Sequence, residues 1–120
     1  MSTNDSSIAI QKTWVVKFYQ TKRGDYPVND FLTDQDNEIS TKVFSYFSLL
    51  QNNGPFLKPP QIKKLQSNLY ELRIKSKLNI RAFYTIFNNE YYILHIFKKK
   101  TQKTPTKELK IAIDRMNSII

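Results

Sequence analysis

From Tyr70 to Phe97 the side chains alternate in character with a period of two, and the alternation restarts twice. Tyr70, Leu72 and Ile74 face one way, and Glu71, Arg73 and Lys75 face the other. A second run, from Lys77 or Leu78 to Phe87, sets Ile80, Ala82, Tyr84 and Ile86 against Arg81, Phe83, Thr85 and Phe87. Tyr91 to Phe97 is the third. A period of two is the geometry of a strand. Asn88-Asn89 suits a hairpin turn, because Asn tolerates positive φ. Three meandering strands present an apolar face that only a layer of helices can cover. That requirement restricts the chain to an α+β architecture.

The helices are legible on either side. Trp14 to Tyr19 (WVVKFY) reads as a first strand, and polar Thr21 to Tyr26 as a loop. Pro27 suits the first position of a helix carrying Val28, Phe31 and Leu32. Asp34 or Asp36 can cap a second helix, whose stripe is Ile39, Val43, Tyr46, Phe47 and Leu50. Asn52-Asn53-Gly54-Pro55 ends it, and Pro59-Pro60 prolongs the break. Pro105 opens a last helix with Leu109, Ala112, Ile113, Met116, Ile119 and Ile120 on one side. The expected order is β-α-α-β-β-β-α: one domain over residues 13–120, preceded by a flexible segment, residues 1–12. A length of 120 residues suits a single core.

Composition removes several function classes. The chain has no cysteine, so disulfides, cysteine-held zinc and thiol catalysis are excluded. No apolar run reaches the roughly 18 residues that span a bilayer, and no signal peptide is expected, which points to a cytoplasmic location without a membrane partner. The formal charge is +9, and it is unevenly placed. Up to Asn68, eight Lys/Arg stand against six Asp/Glu; from Leu69 onward, eleven stand against four. A field of that kind draws polyanions, nucleic acid above all, although a merely soluble basic surface has the same look.

Arg73 and Arg81 lie inside strand patterns, whereas Lys98, Lys99 and Lys100 mark a strand exit, with Lys103 close behind. A guanidinium is a permanently charged planar fork that binds two phosphate oxygens. RNA cleavage through its own 2′-OH needs no protein nucleophile, metal or cofactor. It needs an in-line geometry, neutralisation of the phosphorane, and proton movement. The plainer reading of Arg73 and Arg81 is a solvated strand face in contact with Glu71. The plainer reading of the lysines is an edge guarded against strand pairing. Phe83, Phe87, Tyr91 and Tyr92 can stack on bases, but packing is the commoner role.

The runs Leu69-Tyr70-Glu71-Leu72-Arg73-Ile74, Arg81-Ala82-Phe83-Tyr84 and Ile93 to Pro105 (ILHIFKKKTQKTP), followed by Glu108, Leu109 and Ala112, resemble phage-derived HigB-type toxins of the RelE superfamily. The resemblance runs from about Val15 to Met116, and Phe97 to Pro105 is its most specific stretch. It implies a mostly antiparallel twisted sheet with two N-terminal helices and a C-terminal helix. It also implies metal-independent, ribosome-dependent cleavage of messenger RNA, and a cognate antitoxin, usually of the helix-turn-helix type.

Position by position, the resemblance assigns catalytic roles to Arg73, Arg81, Lys99 and Lys100. Lys75, Lys77, Lys98 and Lys103 are phosphate-binding candidates, with Lys98 ranked lower. RelE itself carries a tyrosine near its C-terminus, and the last helix here has none. His95 is the sole histidine; alternation leaves its face open, so it is either structural or an accessory to the chemistry. The general base is unassigned; a lysine with a lowered pKa among other cations is one candidate. Two other readings stand beside the nuclease: a non-catalytic RNA- or ribosome-binding module of the same fold, and a gyrase poison of the ParE type, which the Phe97 to Pro105 stretch disfavours. Arg81 is expected to be exposed.

Overall fold

The computed structural model describes residues 13–103 and 105–119. Along the chain come β1 (Val15–Phe18), α1 (Pro27–Thr33), α2 (Asn37–Asn53), a 3-10 turn (Gly54–Phe56), β2 (Ile62–Gln66), β3 (Leu69–Lys75), β4 (Asn79–Phe87), β5 (Glu90–Lys98) and α3 (Thr106–Ile119). The strands form one sheet in the order β1-β5-β4-β3-β2. β1 runs parallel to β5, and every other neighbour is antiparallel. This is the expected α+β arrangement. The segment 1–12, Thr104 and Ile120 lie outside the described residues.

One strand exceeds the expected count. β2 stands at the edge of the sheet and pairs only with β3, and its register slips between Lys64 and Gln66. Within it only Ile62 and Leu65 are partly buried. A slipped edge strand with two adjacent exposed lysines shows no period of two, so alternation could not reveal it.

Local chemistry sets the helix ends. Pro27 occupies the first turn of α1, which buries Val28 and Leu32. Asp36 caps α2 by accepting from the Ile39 N–H at 2.9 Å, and α2 buries Ile39, Val43, Phe47 and Leu50. Gly54 stops α2 with φ +48, and a Cβ there would lie 2.4 Å from the Trp14 ring, so both backbone and packing demand glycine. The turn at Asn88-Asn89 has the positive φ that its sequence suggested, 51° and 64°.

Each face of the sheet has its own core. Leu72, Ile74, Ile80, Ala82, Tyr84, Tyr91, Ile93 and Ile96 join Val28, Leu32, Ile39, Val43, Phe47 and Leu50 of α1 and α2. On the opposite face Leu69, Phe83, Leu94 and Phe97 pack with Ala112 and Met116 of α3. A bulge interrupts the alternation of β5: Phe83 pairs with His95 but Tyr84 with Ile93, which leaves Leu94 as the extra residue. Leu94 and His95 therefore both face α3.

Candidate functional site

The strand register brings the charged residues together on the α3 face. One row across the sheet reads Lys63, Glu71, Phe83, His95; the next reads Arg73, Arg81, Phe97. Two arginines directly opposite one another repel unless an anion lies between them. Glu71 supplies it, two residues before Arg73 on the same face of β3, with a side chain only 1% exposed. Its Oε1 accepts from Arg73 Nε at 3.3 Å. Arg81 Nε stands 3.8 Å from the same oxygen, close enough for charge pairing but too far for a hydrogen bond. Arg81 Nε and Glu71 Oε2 are both buried without a hydrogen-bond partner, while Arg81 Nη1 donates to the Ile80 carbonyl at 3.2 Å.

Lys99 completes the group. Its N–H donates to the Asn79 carbonyl at 2.7 Å, which continues the β4–β5 ladder beyond the last strand residue. Burial draws the Lys99 pKa below the ordinary lysine value; Glu71 opposes this, and Arg81, Arg73 and Lys63 reinforce it. Four cations thus share one field with one carboxylate, a formal excess of three positive charges. Beside them opens a cleft of about 380 Å³ lined by Asn79, Arg81, Lys99, Lys100, Thr101 and Gln102.

The predicted residues divide by position. Arg73, Arg81 and Lys99 converge, and Lys100 lines the adjoining cleft. Lys75 is exposed opposite Asn79, at the rim. Lys77 lies apart, bound to Asp36 at 2.6 Å and 3.7 Å from Glu38, at the start of α2. Lys98 is exposed and lines a neighbouring cleft of about 460 Å³ with Phe31, His95, Lys100, Pro105 and Glu108. Lys103 is exposed in the segment after β5, and its carbonyl accepts from Thr101 Oγ1 at 2.8 Å.

His95 Nε2 is bonded to Glu108 Oε1 at 2.6 Å, and the ring stacks on Phe97. Burial pulls the His95 pKa down, against the pull of Glu108. Phe83 and Tyr91 are core residues.

One expectation is corrected. Arg81 is not exposed: its side chain keeps only 14% of its accessible surface, in a central strand with Arg73 as its cross-strand partner and its Nε 3.8 Å from the buried Glu71. Of the other two members of the cluster, the sequence reading named Glu71 only as a contact of the two arginines and passed over Lys63. Glu71 carried a readable signal, since a strand acid two positions before an arginine shares its face. Lys63 carried none, because β2 itself was not visible. A larger cleft, about 640 Å³ beside β1, is lined mainly by Val16, Phe18, Tyr19, Tyr26, Tyr92 and Ile119. It shares no lining residue with the cleft beside the cation cluster.

A family model described as Phage derived protein Gp49-like (DUF891) matches residues 30–117, which span every member of the cluster. No curated protein matches the chain.

Proposed function

The chain belongs to the Gp49-like family of phage-derived proteins, a RelE/HigB-like toxin family, and on that premise we propose that it is a ribosome-dependent endoribonuclease that cuts messenger RNA. Toxins of this kind imply an antitoxin partner. The observation that carries the nuclease reading is the gathering of Lys63, Arg73, Arg81 and Lys99 around the buried Glu71 beside an open cleft.

The reaction follows from what those groups can do. The 2′-oxygen of one nucleotide attacks the adjacent phosphorus, and the bond from phosphorus to the 5′-oxygen breaks. The products are a 2′,3′-cyclic phosphate and a 5′-hydroxyl, the leaving 5′-oxygen taking its proton from water. The phosphorane between them bears an extra negative charge, which Arg81 and Arg73 neutralise as fixed forks. Lys99 is the group we assign to accept the 2′-proton. Its lowered pKa gives it a larger neutral fraction near pH 7 than a free lysine has. Lys100 lies on the cleft wall, where it can hold a flanking phosphate.

The test is expression in a susceptible bacterium without the antitoxin, with 5′ ends mapped on translated messages. Cuts that depend on translation and vanish in Arg81→Lys are expected. Growth arrest with uncut messages would overturn the reading. In single-turnover cleavage, the rate should rise with pH through one ionisation below the free lysine value. A profile flat from about pH 6 to 9 removes Lys99 from the base role.

A further inference from the structure

We propose that Glu71 is the positioning residue of this site: its carboxylate holds the inner edge of both guanidiniums and leaves their outer edges for a phosphate. The proposal rests on reading the cleft as a phosphate site, and it adds a residue that neither the sequence motifs nor the family match assigns.

The geometry is specific to the inner edge. Glu71 Oε1 meets Arg73 at Nε and faces Arg81 at Nε, the nitrogen nearest the stem in each case. Among the described residues neither terminal nitrogen of Arg73 carries a hydrogen bond, and Arg81 commits only Nη1, to the Ile80 carbonyl. Three terminal nitrogens therefore remain for phosphate oxygens.

The electrostatics require an anion at this spot. Arg73 and Arg81 are cross-strand partners with Lys99 and Lys63 nearby, so without Glu71 their repulsion would drive the guanidiniums apart and out toward water. Glu71 in turn is only 1% exposed, and burying a carboxylate is costly unless cations stand beside it, as the two guanidiniums do here. Its placement is not general packing, since Leu69, Phe83, Leu94 and Phe97 on the same face are all apolar. The two unpartnered atoms, Glu71 Oε2 and Arg81 Nε, also belong to this contact. Arg81 is thus held beside Glu71 by charge, and its one side-chain hydrogen bond among the described residues is at Nη1, to the Ile80 carbonyl. Arg73 is the tethered member of the pair.

Glu71→Gln keeps the volume and removes the charge. If Glu71 positions the arginines, cleavage of a translated message should fall about tenfold to a hundredfold in kcat, the scale of a misplaced catalytic group. KM should not rise, because the cluster gains net positive charge and holds RNA at least as well. A residue needed only for folding behaves differently: it loses melting temperature and active fraction together. A second readout does not depend on cleavage. In arginine side-chain NMR, the Arg73 Nε–H should exchange slowly with water in the wild type and quickly in Glu71→Gln. Arg115, bonded to the Leu94 carbonyl, should be unchanged in both and serves as the reference.

Wild-type kcat in Glu71→Gln, or an Arg73 Nε–H that exchanges freely in the wild type, overturns the proposal. If the wild type cuts no RNA, the nuclease reading fails and the exchange comparison still decides the role of Glu71. If the variant does not fold, the wild-type exchange rate alone decides it.

Discussion

The two faces of β3 and β4 are built from alternate residues of the same strands, yet they have opposite characters. On the α1–α2 face Leu72, Ile74, Ile80 and Ala82 are completely buried. On the α3 face their immediate neighbours are Glu71, Arg73 and Arg81. α3 covers Leu69, Phe83, Leu94 and Phe97, while Glu71, Arg73 and Arg81 continue the rows of Phe83 and Phe97 across the sheet toward β3. One face is saturated with packing. The other is packed at one end and left charged at the other, where a ligand can reach it. On the proposed reading, stability and chemistry are separated by a single step along the strand, and substitutions at adjacent positions should separate them experimentally.

The largest effect is expected on the packed face. Ile80→Ala removes a fully buried side chain and should cost about 2–5 kcal/mol in urea unfolding. Cleavage per folded molecule should stay near wild type. A variant that loses cleavage but no stability would erase the distinction between the faces.

The neighbouring position should give the reverse. Arg81→Lys keeps the charge opposite Glu71 but loses the planar fork. Cleavage should drop roughly a hundredfold, near the loss seen when a preorganised transition-state donor is removed, with little change in the unfolding midpoint. A rate within threefold of wild type would remove Arg81 from the chemistry. Arg81→Ala is a poorer probe, because it strips the buried Glu71 of one of its cations and adds a folding defect.

A smaller effect concerns the edge of the α3 core. Burial lowers the His95 pKa in the folded chain, so the unfolded chain binds the proton more readily. Stability should therefore fall as pH drops below the unfolded value, about 6.5. The loss should be complete once pH lies under the folded value. His95→Gln should flatten that dependence in thermal melts between pH 7 and 5. Equal slopes in variant and wild type would show that the burial of His95 does not set this pH dependence.

Most of this contrast was legible in the sequence, for a physical reason. Alternation over β3 and β4 identified which residues share a face, because regular strands with one buried side obey a period of two. It failed where regularity fails. The bulge at Leu94 put His95 on a face that alternation left open, and the slip in β2 hid both the strand and Lys63. The convergence of Arg73 with Arg81 depends on register, and register depends on the Ser76–Leu78 connection, where the Ser76 N–H donates to the Leu78 carbonyl at 3.2 Å. No motif states that geometry. Burial of Arg81 was likewise invisible, since it depends on the strand order and register that set Arg81 in the middle of the sheet beside Glu71.

The smallest expected effect tests the contrast with two lysines of equal charge. Lys63 lies on the α3 face, in the row with Glu71 and within the field that lowers Lys99. Lys77 is paired with Asp36 and Glu38 at the start of α2. Each neutral substitution removes one positive charge, so total charge predicts the same change in RNA affinity for both. Position predicts otherwise. Lys63→Gln should weaken binding of a single-stranded RNA and reduce its salt dependence by about 0.7 in the log–log slope, the counterion released by one phosphate contact. Lys77→Gln should leave that slope unchanged, because its partners are acids at the start of α2. It should also barely alter stability, since Lys77 and Asp36 are both about half exposed and such pairs contribute little in salt. Equal slope changes for the two would mean that RNA meets a diffuse basic surface, and the α3 face would lose its claim to be the binding face.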